Sequence, residues 1–266
     1  MTRIIACLSG KGGVGKTTTS INLGLALNNF GENTAVLDAN ITTPNIGVYL
    51  GVPKTENTIH HVLSDSKRKL NKAIYKHKSG LKVIPGDLSI GKLNSVKTEK
   101  LKTVMADIEG LLDYLIIDGA AGLGKEAASA LDAADKVLIV TNAEMAAVTD
   151  AIKTVEVARK MRKQILGVVL TRFRNDGLDM RVSDIENLLE YPVLAIIPED
   201  GNIRKANKNG MPILYKYPES DASIAYKELA AKILGKKLEG FDMTPPTKRK
   251  EGLIRDLMRI FSFKAE

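Results

Sequence analysis

The clearest chemistry in this chain sits in Gly10-Lys-Gly-Gly-Val-Gly-Lys-Thr17. The segment fits the pattern G-x-x-x-x-G-K-[ST]. Gly10, Gly12, Gly13 and Gly15 let the backbone fold into a concave nest that turns its N–H groups toward phosphate oxygens. A short apolar run over residues 3–8 precedes it and a helical pattern opens near Lys16. The positive end of that helix then faces the same anion. Lys16 is placed to reach the β- and γ-phosphates of a nucleotide, and the Thr17 hydroxyl to ligate Mg²⁺. Val14 and Thr18 complete the cradle, and Lys11 is a second cation inside the loop.

Such a loop needs elements to hold it, and the sequence supplies them. Short runs rich in Val, Ile and Leu predict strands over 3–8, 34–38, 81–85, 114–118, 136–141, 166–171 and 193–197. Helical patterns fall between them, at about 17–30, 97–111, 125–133, 145–163, 180–190, 202–209 and 221–235. The alternation predicts an α/β fold with a doubly wound, mostly parallel sheet flanked by helices, the P-loop NTPase arrangement. Ligands of such sheets bind at the carboxyl ends of the strands. With 266 residues, 44% hydrophobic and 26% charged, the chain can bury a sizeable core. That composition excludes a disulfide-stapled miniprotein, a collagen-like chain and a wholly disordered one. A single cysteine, Cys7, leaves no Cys-x-x-Cys framework for a metal or cluster within one chain. No stretch approaches the roughly 20 apolar residues of a membrane-spanning helix, and the start lacks a secretory signal. A cytoplasmic protein is the expectation.

Lys11-Gly-Gly-Val-Gly-Lys-Thr-Thr resembles the deviant Walker A motif of the MinD/ParA superfamily of ATPases. The resemblance runs along residues 1–235. Asp38-Ala-Asn-Ile-Thr-Thr-Pro-Asn45 is similar to the switch I segment, and Ile117-Asp118-Gly-Ala-Ala-Gly-Leu123 to switch II. Thr141-Asn-Ala-Glu144 resembles the family's T-N-P-E turn. Ile197-Pro-Glu-Asp200 resembles the loop that closes over the base, which brings in Pro198, Glu199 and Asp200. Thr171 and Arg172 match the other adenine-side position. The switch segments and the Ile-Pro-Glu-Asp loop favour MinD, archaeal-type members above all, over ParA.

The resemblance implies ATP and Mg²⁺ as ligands, with Thr17 and Asp118 at the metal and Asp38 contributing behind its ligands. It implies that Lys11 crosses a homodimer interface to the partner's nucleotide, as a cation supplied in trans. Lys11, Lys16, Asn40 and Asn45 are then the catalytic candidates. Asn40 stands where the family usually has an aspartate credited with organising the attacking water. An amide can orient water but cannot take a proton, so slow hydrolysis is the expectation. Ala120 and Ala143 replace family prolines and loosen two loops.

Beyond residue 237 the character changes. Residues 238–252 contain Pro245-Pro246 and read as a linker, separating an ATPase domain over 1–237 from a terminal segment over 253–266. On a helix, Leu253, Ile254, Leu257, Met258, Ile260 and Phe261 gather on one side, with Lys248-Arg249-Lys250 upstream. This resembles the membrane-targeting helix of MinD proteins and suits an anionic headgroup boundary. One copy binds weakly. Two held in a dimer gain avidity by about 10²–10⁴, which would make attachment ATP-dependent and peripheral. A protein activator or cargo follows from that cycle, without a name.

The net charge of +8 is uneven, with 11 Lys/Arg against 3 Asp/Glu over residues 64–102. That segment leaves open a ParA-like ATPase binding DNA nonspecifically, though a single aromatic residue among the lysines, Tyr75, falls short of a stacking platform. A non-hydrolysing ATP-binding scaffold, supported by Asn40, is the other alternative. His60, His61 and His77 lack the spacing of a metal site and read as surface or packing residues.

Overall fold

A computed structural model of the chain describes residues 1–88 and 96–237. The expected linker over 238–252 and the amphipathic segment over 253–266 lie outside the described residues.

In chain order the elements are β1 (Arg3–Ser9), α1 (Lys16–Asn29), β2 (Thr34–Asp38), α2 (Ile46–Leu50), α3 (Ile59–Ser64), β3 (Tyr75–Lys76) and β4 (Lys82–Ile84). After them come α4 (Leu101–Val104), β5 (Tyr114–Ala121), α5 (Lys125–Ala133), β6 (Lys136–Asn142), α6 (Met145–Lys160) and β7 (Gln164–Phe173). The last are α7 (Val182–Leu189), β8 (Val193–Pro198), α8 (Gly201–Lys208), α9 (Ile213–Lys216) and α10 (Asp221–Leu234).

The strands form one eight-stranded sheet in the order β3-β4-β2-β5-β1-β6-β7-β8. Every neighbouring pair is parallel except β3 with β4, where Tyr75 faces Val83. The central strands are apolar at nearly every position because helices cover both faces. In β1, Ile4, Ala6 and Leu8 enter one core while Ile5 and Cys7 enter the other. The first core is closed by α5 and α6 through Ala130, Leu131, Val148 and Val155. The second is closed by α1 and α10 through Leu23, Leu27, Tyr226 and Leu229. The antiparallel edge is two residues long and ends on exposed Lys76, which blunts it against pairing with another chain.

The pattern over 97–111 is not one helix. It is a 3-10 turn at Thr98–Lys100, one α turn in α4 and a second 3-10 turn at Met105–Ile108. Leu101, Met105, Ile108 and Leu112 are all buried, so the helical spacing did mark the inward face. Contacts from elsewhere bend the chain. Asp107 accepts the Leu70 N–H at 3.0 Å and pairs with Lys69 at 3.1 Å. The Thr2 hydroxyl donates to the carbonyls of Ile108 and Leu112. Gly110, at φ +73°, turns the chain toward β5.

β1 lies inside the sheet between β5 and β6, and α1 leaves from its carboxyl end. The chain order reverses there, and the resulting crevice opens between the strand ends.

Candidate functional site

The loop between β1 and α1 is shaped by two left-handed glycines, Gly13 at φ +80° and Gly15 at φ +84°. A side chain at either would strain the backbone. Gly10 is required for a different reason: a Cβ there would lie 2.2 Å from the Asp150 carbonyl oxygen on α6. A Cβ on Gly12 or Gly13 would meet nothing within 4 Å, so the loop's concave side is open. The first turn of α1 has no side-chain cap, which leaves its N–H groups facing that space. Val14 is buried, and its carbonyl accepts from the Thr171 hydroxyl, tying the loop to β7.

Behind the loop lies a buried charge cluster. Lys16 Nζ donates to Asp118 Oδ1 at 2.8 Å, with the two side chains 8% and 1% exposed. The Thr17 hydroxyl donates to Asp118 Oδ2 at 2.6 Å, and the Ser20 hydroxyl to Oδ1 at 3.1 Å. Asp38 sits opposite Asp118 in the β2–β5 register and is wholly buried. It accepts from the backbone N–H groups of Asn45 (2.8 Å), Ile46 (2.9 Å) and Asn40 (3.2 Å). Burial pushes its carboxyl up to about 7, and the neighbouring Asp118 charge adds to this, against the lowering by the three N–H donors. Two neighbouring buried carboxylates, of which Asp118 pairs with Lys16 and Asp38 is held by backbone N–H groups, are short of positive charge. A divalent cation would supply it.

A cleft of about 450 Å³ opens above the loop. Ser9, Gly12, Gly13, Gly15, Lys16, Thr17 and Thr18 line its floor. Asn40 and Asn45 line the side next to β2, and Thr171, Arg172, Pro198, Glu199 and Asp200 line the other end. The Ser9 hydroxyl is buried and has no hydrogen-bond partner among the described residues, as expected of a group that faces a polar ligand. These features fit a nucleotide triphosphate with its metal.

Three predicted residues have other tasks in this structure. The Asn40 amide oxygen accepts from the Thr43 hydroxyl at 3.1 Å. Asp200 caps α8 by accepting the Asn202 N–H at 2.8 Å, so its carboxylate is engaged at the helix end. Arg172, at φ +54°, leans toward Glu199 at 3.8 Å. Lys11 is exposed at the rim and stands apart from the cleft lining. Sequence reasoning missed Thr43 and Tyr49 beside Asn45, and Ile203, Arg204 and Asn207 from α8. The three from α8 follow Asp200 at helical spacing, a signal that could have found them.

A family model described as ParA, NUBPL iron-transfer P-loop NTPase, matches residues 1–234. An uncharacterized ATP-binding protein of Methanocaldococcus jannaschii is 40% identical over 88% of this chain and 89% of its own length. The septum site-determining protein MinD of Bacillus subtilis is 34% identical over 88% of this chain and 90% of its own. The chain belongs to the MinD/ParA family of P-loop ATPases. The structure of Pyrococcus horikoshii MinD complexed with Mg-ADP superposes with a TM-score of 0.83 at 35% identity, covering 88% of this chain and 96% of that one. The eight-stranded sheet described above is therefore the fold that this chain shares with that MinD structure. Among the described residues no helix is long and apolar enough to cross a membrane.

Proposed function

We propose that this chain is a MinD-type ATPase that binds ATP with Mg²⁺, pairs with a second copy when loaded, and attaches to an anionic membrane surface to position cell-division or polar components. The observation that carries the reading is the combined loop and acid cluster: an open nest of N–H groups, Lys16 and Thr17 gathered on Asp118, and a buried Asp38 short of counter-charge. Thr17 and Asp118 would hold the metal, with Asp38 orienting its surroundings. When bound, Mg²⁺ neutralises charge on the transferring phosphoryl group. Few protein ligands suit that ion, which keeps waters and phosphate oxygens around itself. Lys16 would hold the terminal phosphates. Lys11, exposed at the rim, is free to meet a partner's nucleotide. Asn40 would orient water without taking its proton, so turnover is slow.

An iron-carrying role is disfavoured by the chain's own chemistry. Cys7 is its single thiol, buried inside β1 and pushed up to about 12 by desolvation, so no thiolate is offered to a cluster.

The membrane arm rests on residues 253–266 and is tested on vesicles containing anionic lipid. Co-sedimentation is expected to be strong with ATP–Mg²⁺ and weak with ADP or none. Binding indifferent to nucleotide contradicts the reading. Binding to DNA that collapses with salt, and survives loss of residues 248–266, would replace it with the DNA-binding alternative.

A further inference from the structure

The two switch segments are separated by a groove of about 370 Å³ that opens off the main cleft and shares Asn40, Thr43 and Ala121 with it. Among the described residues, the side chain that bridges this groove is Glu126, on the first turn of α5 just after switch II. Its Oε2 accepts the Ile41 N–H at 2.9 Å, and its Oε1 accepts the Thr42 N–H at 3.1 Å together with the Thr42 hydroxyl. On the opposite side of the same residue, the Ile41 carbonyl is held by His60 Nε2 at 2.8 Å. Asp87 donates its backbone N–H to His60 Nδ1 at 3.0 Å, so Nδ1 is the acceptor and Nε2 carries the proton it gives to Ile41. The Ile41 side chain is buried in the core beneath β2. Switch I is therefore pinned at the residue following Asn40: from α5 through Glu126, and from α3 through His60.

We propose that Glu126 is a positioning residue that fastens switch I to the helix following switch II, and so presents Asn40 to the triphosphate end of the cleft in one orientation. This rests on the ATPase reading above. The carboxylate accepts its hydrogen bonds from switch I rather than from the phosphate loop. It acts on two backbone amides and a hydroxyl, and any movement of Asp118 and the segment after it is passed through α5 to switch I. The chemistry of the residue suits the task. A carboxylate accepts three donors at once, charge-assisted, while glutamate's length spans the groove. Glutamine keeps one acceptor oxygen for Thr42 but turns an NH₂ toward the Ile41 N–H. Alanine loses all three bonds.

The test uses the full-length protein and two readouts. In Glu126→Ala, amide exchange across residues 39–46 of the nucleotide-free protein should speed up by about 10- to 100-fold, the range expected when hydrogen bonds to a charged acceptor are lost. Exchange in β1, β5 and β6 should be unchanged. In ATP turnover, kcat should fall by about tenfold, as a misplaced group near the reacting atoms would cause, with KM for ATP changed by less than about twofold. Glu126→Gln should fall between wild type and alanine in both readouts. Unchanged exchange over 39–46 in Glu126→Ala would overturn the proposal. So would a fall in kcat accompanied by matching losses in ATP affinity and melting temperature, which would mark a merely structural residue. If the wild-type protein proves not to hydrolyse ATP, the ATPase reading fails by itself, and the exchange measurement still decides whether Glu126 fastens switch I.

Discussion

Removing Lys16 should destabilise the protein even when no nucleotide is present. In the free protein its ammonium is the counter-charge of Asp118, at 2.8 Å and almost without solvent, with the two side chains 8% and 1% exposed. Lys16→Ala would leave Asp118 with only the neutral Thr17 and Ser20 hydroxyls, facing a buried Asp38 across one strand pair. Breaking a buried ion pair by deleting one partner costs about 3–5 kcal/mol, because the other charge stays behind. For a domain of this size each kcal/mol moves the melting temperature by about 2–4 °C, so a drop on the order of 10 °C is expected. The assay is thermal unfolding followed by circular dichroism, in EDTA and without nucleotide. Lys16→Ala combined with Asp118→Asn should recover most of the loss, since the neutral amide still accepts from a hydroxyl and no longer needs a cation. A melting temperature within about 1 °C of wild type in Lys16→Ala would mean that the Lys16–Asp118 contact carries no weight in the free protein.

Asn40→Asp should raise kcat for ATP by about tenfold or more, because the carboxylate keeps the Thr43 hydrogen bond and can also take a proton from water; equal rates in a phosphate-release assay would contradict that role. Asp38, pushed up to about 7 by burial and then by Asp118, binds a proton in the folded protein that the unfolded chain has already released between about pH 4 and 7. Nucleotide-free stability should therefore fall as pH rises through that window, and Asp38→Asn should flatten the slope in a pH series of melting curves. Leu257→Glu in the amphipathic segment should abolish vesicle co-sedimentation in ATP while leaving hydrolysis in solution intact; retained binding would place the membrane contact elsewhere.

The sheet was legible because its strands are covered on both faces and so are written as unbroken apolar runs. β2 and α5 match their expected limits, and β7 runs two residues further at each end, with Ile165 buried in the core and Gln164, Arg172 and Phe173 exposed or half-buried. What escaped were short pieces. α2, α3 and α9 have four to six residues, too few for a helical period to show, and β3 has two. The phosphate loop was legible because its glycines answer a local demand on the backbone. Asp38 and Asp118 entered as candidates through the resemblance to the switch segments, each at the end of an apolar run. Glu126 and His60 were not: their partners Ile41 and Thr42 lie far off in sequence, and only the packing of α3 and α5 around switch I brings them together. Expecting packing roles for the histidines was correct for His60 in kind, but the sequence could not show that what it packs against is the switch.

Whether two loaded copies meet through Lys11 is read from the mass of the protein by size-exclusion chromatography with light scattering, with and without ATP–Mg²⁺. The expected masses are 28.9 kDa without nucleotide, about twice that with ATP–Mg²⁺, and the single mass in both conditions for Lys11→Ala. A wild-type protein that stays at the single mass when loaded with ATP, or a Lys11→Ala variant that pairs as well as wild type, would contradict pairing through Lys11.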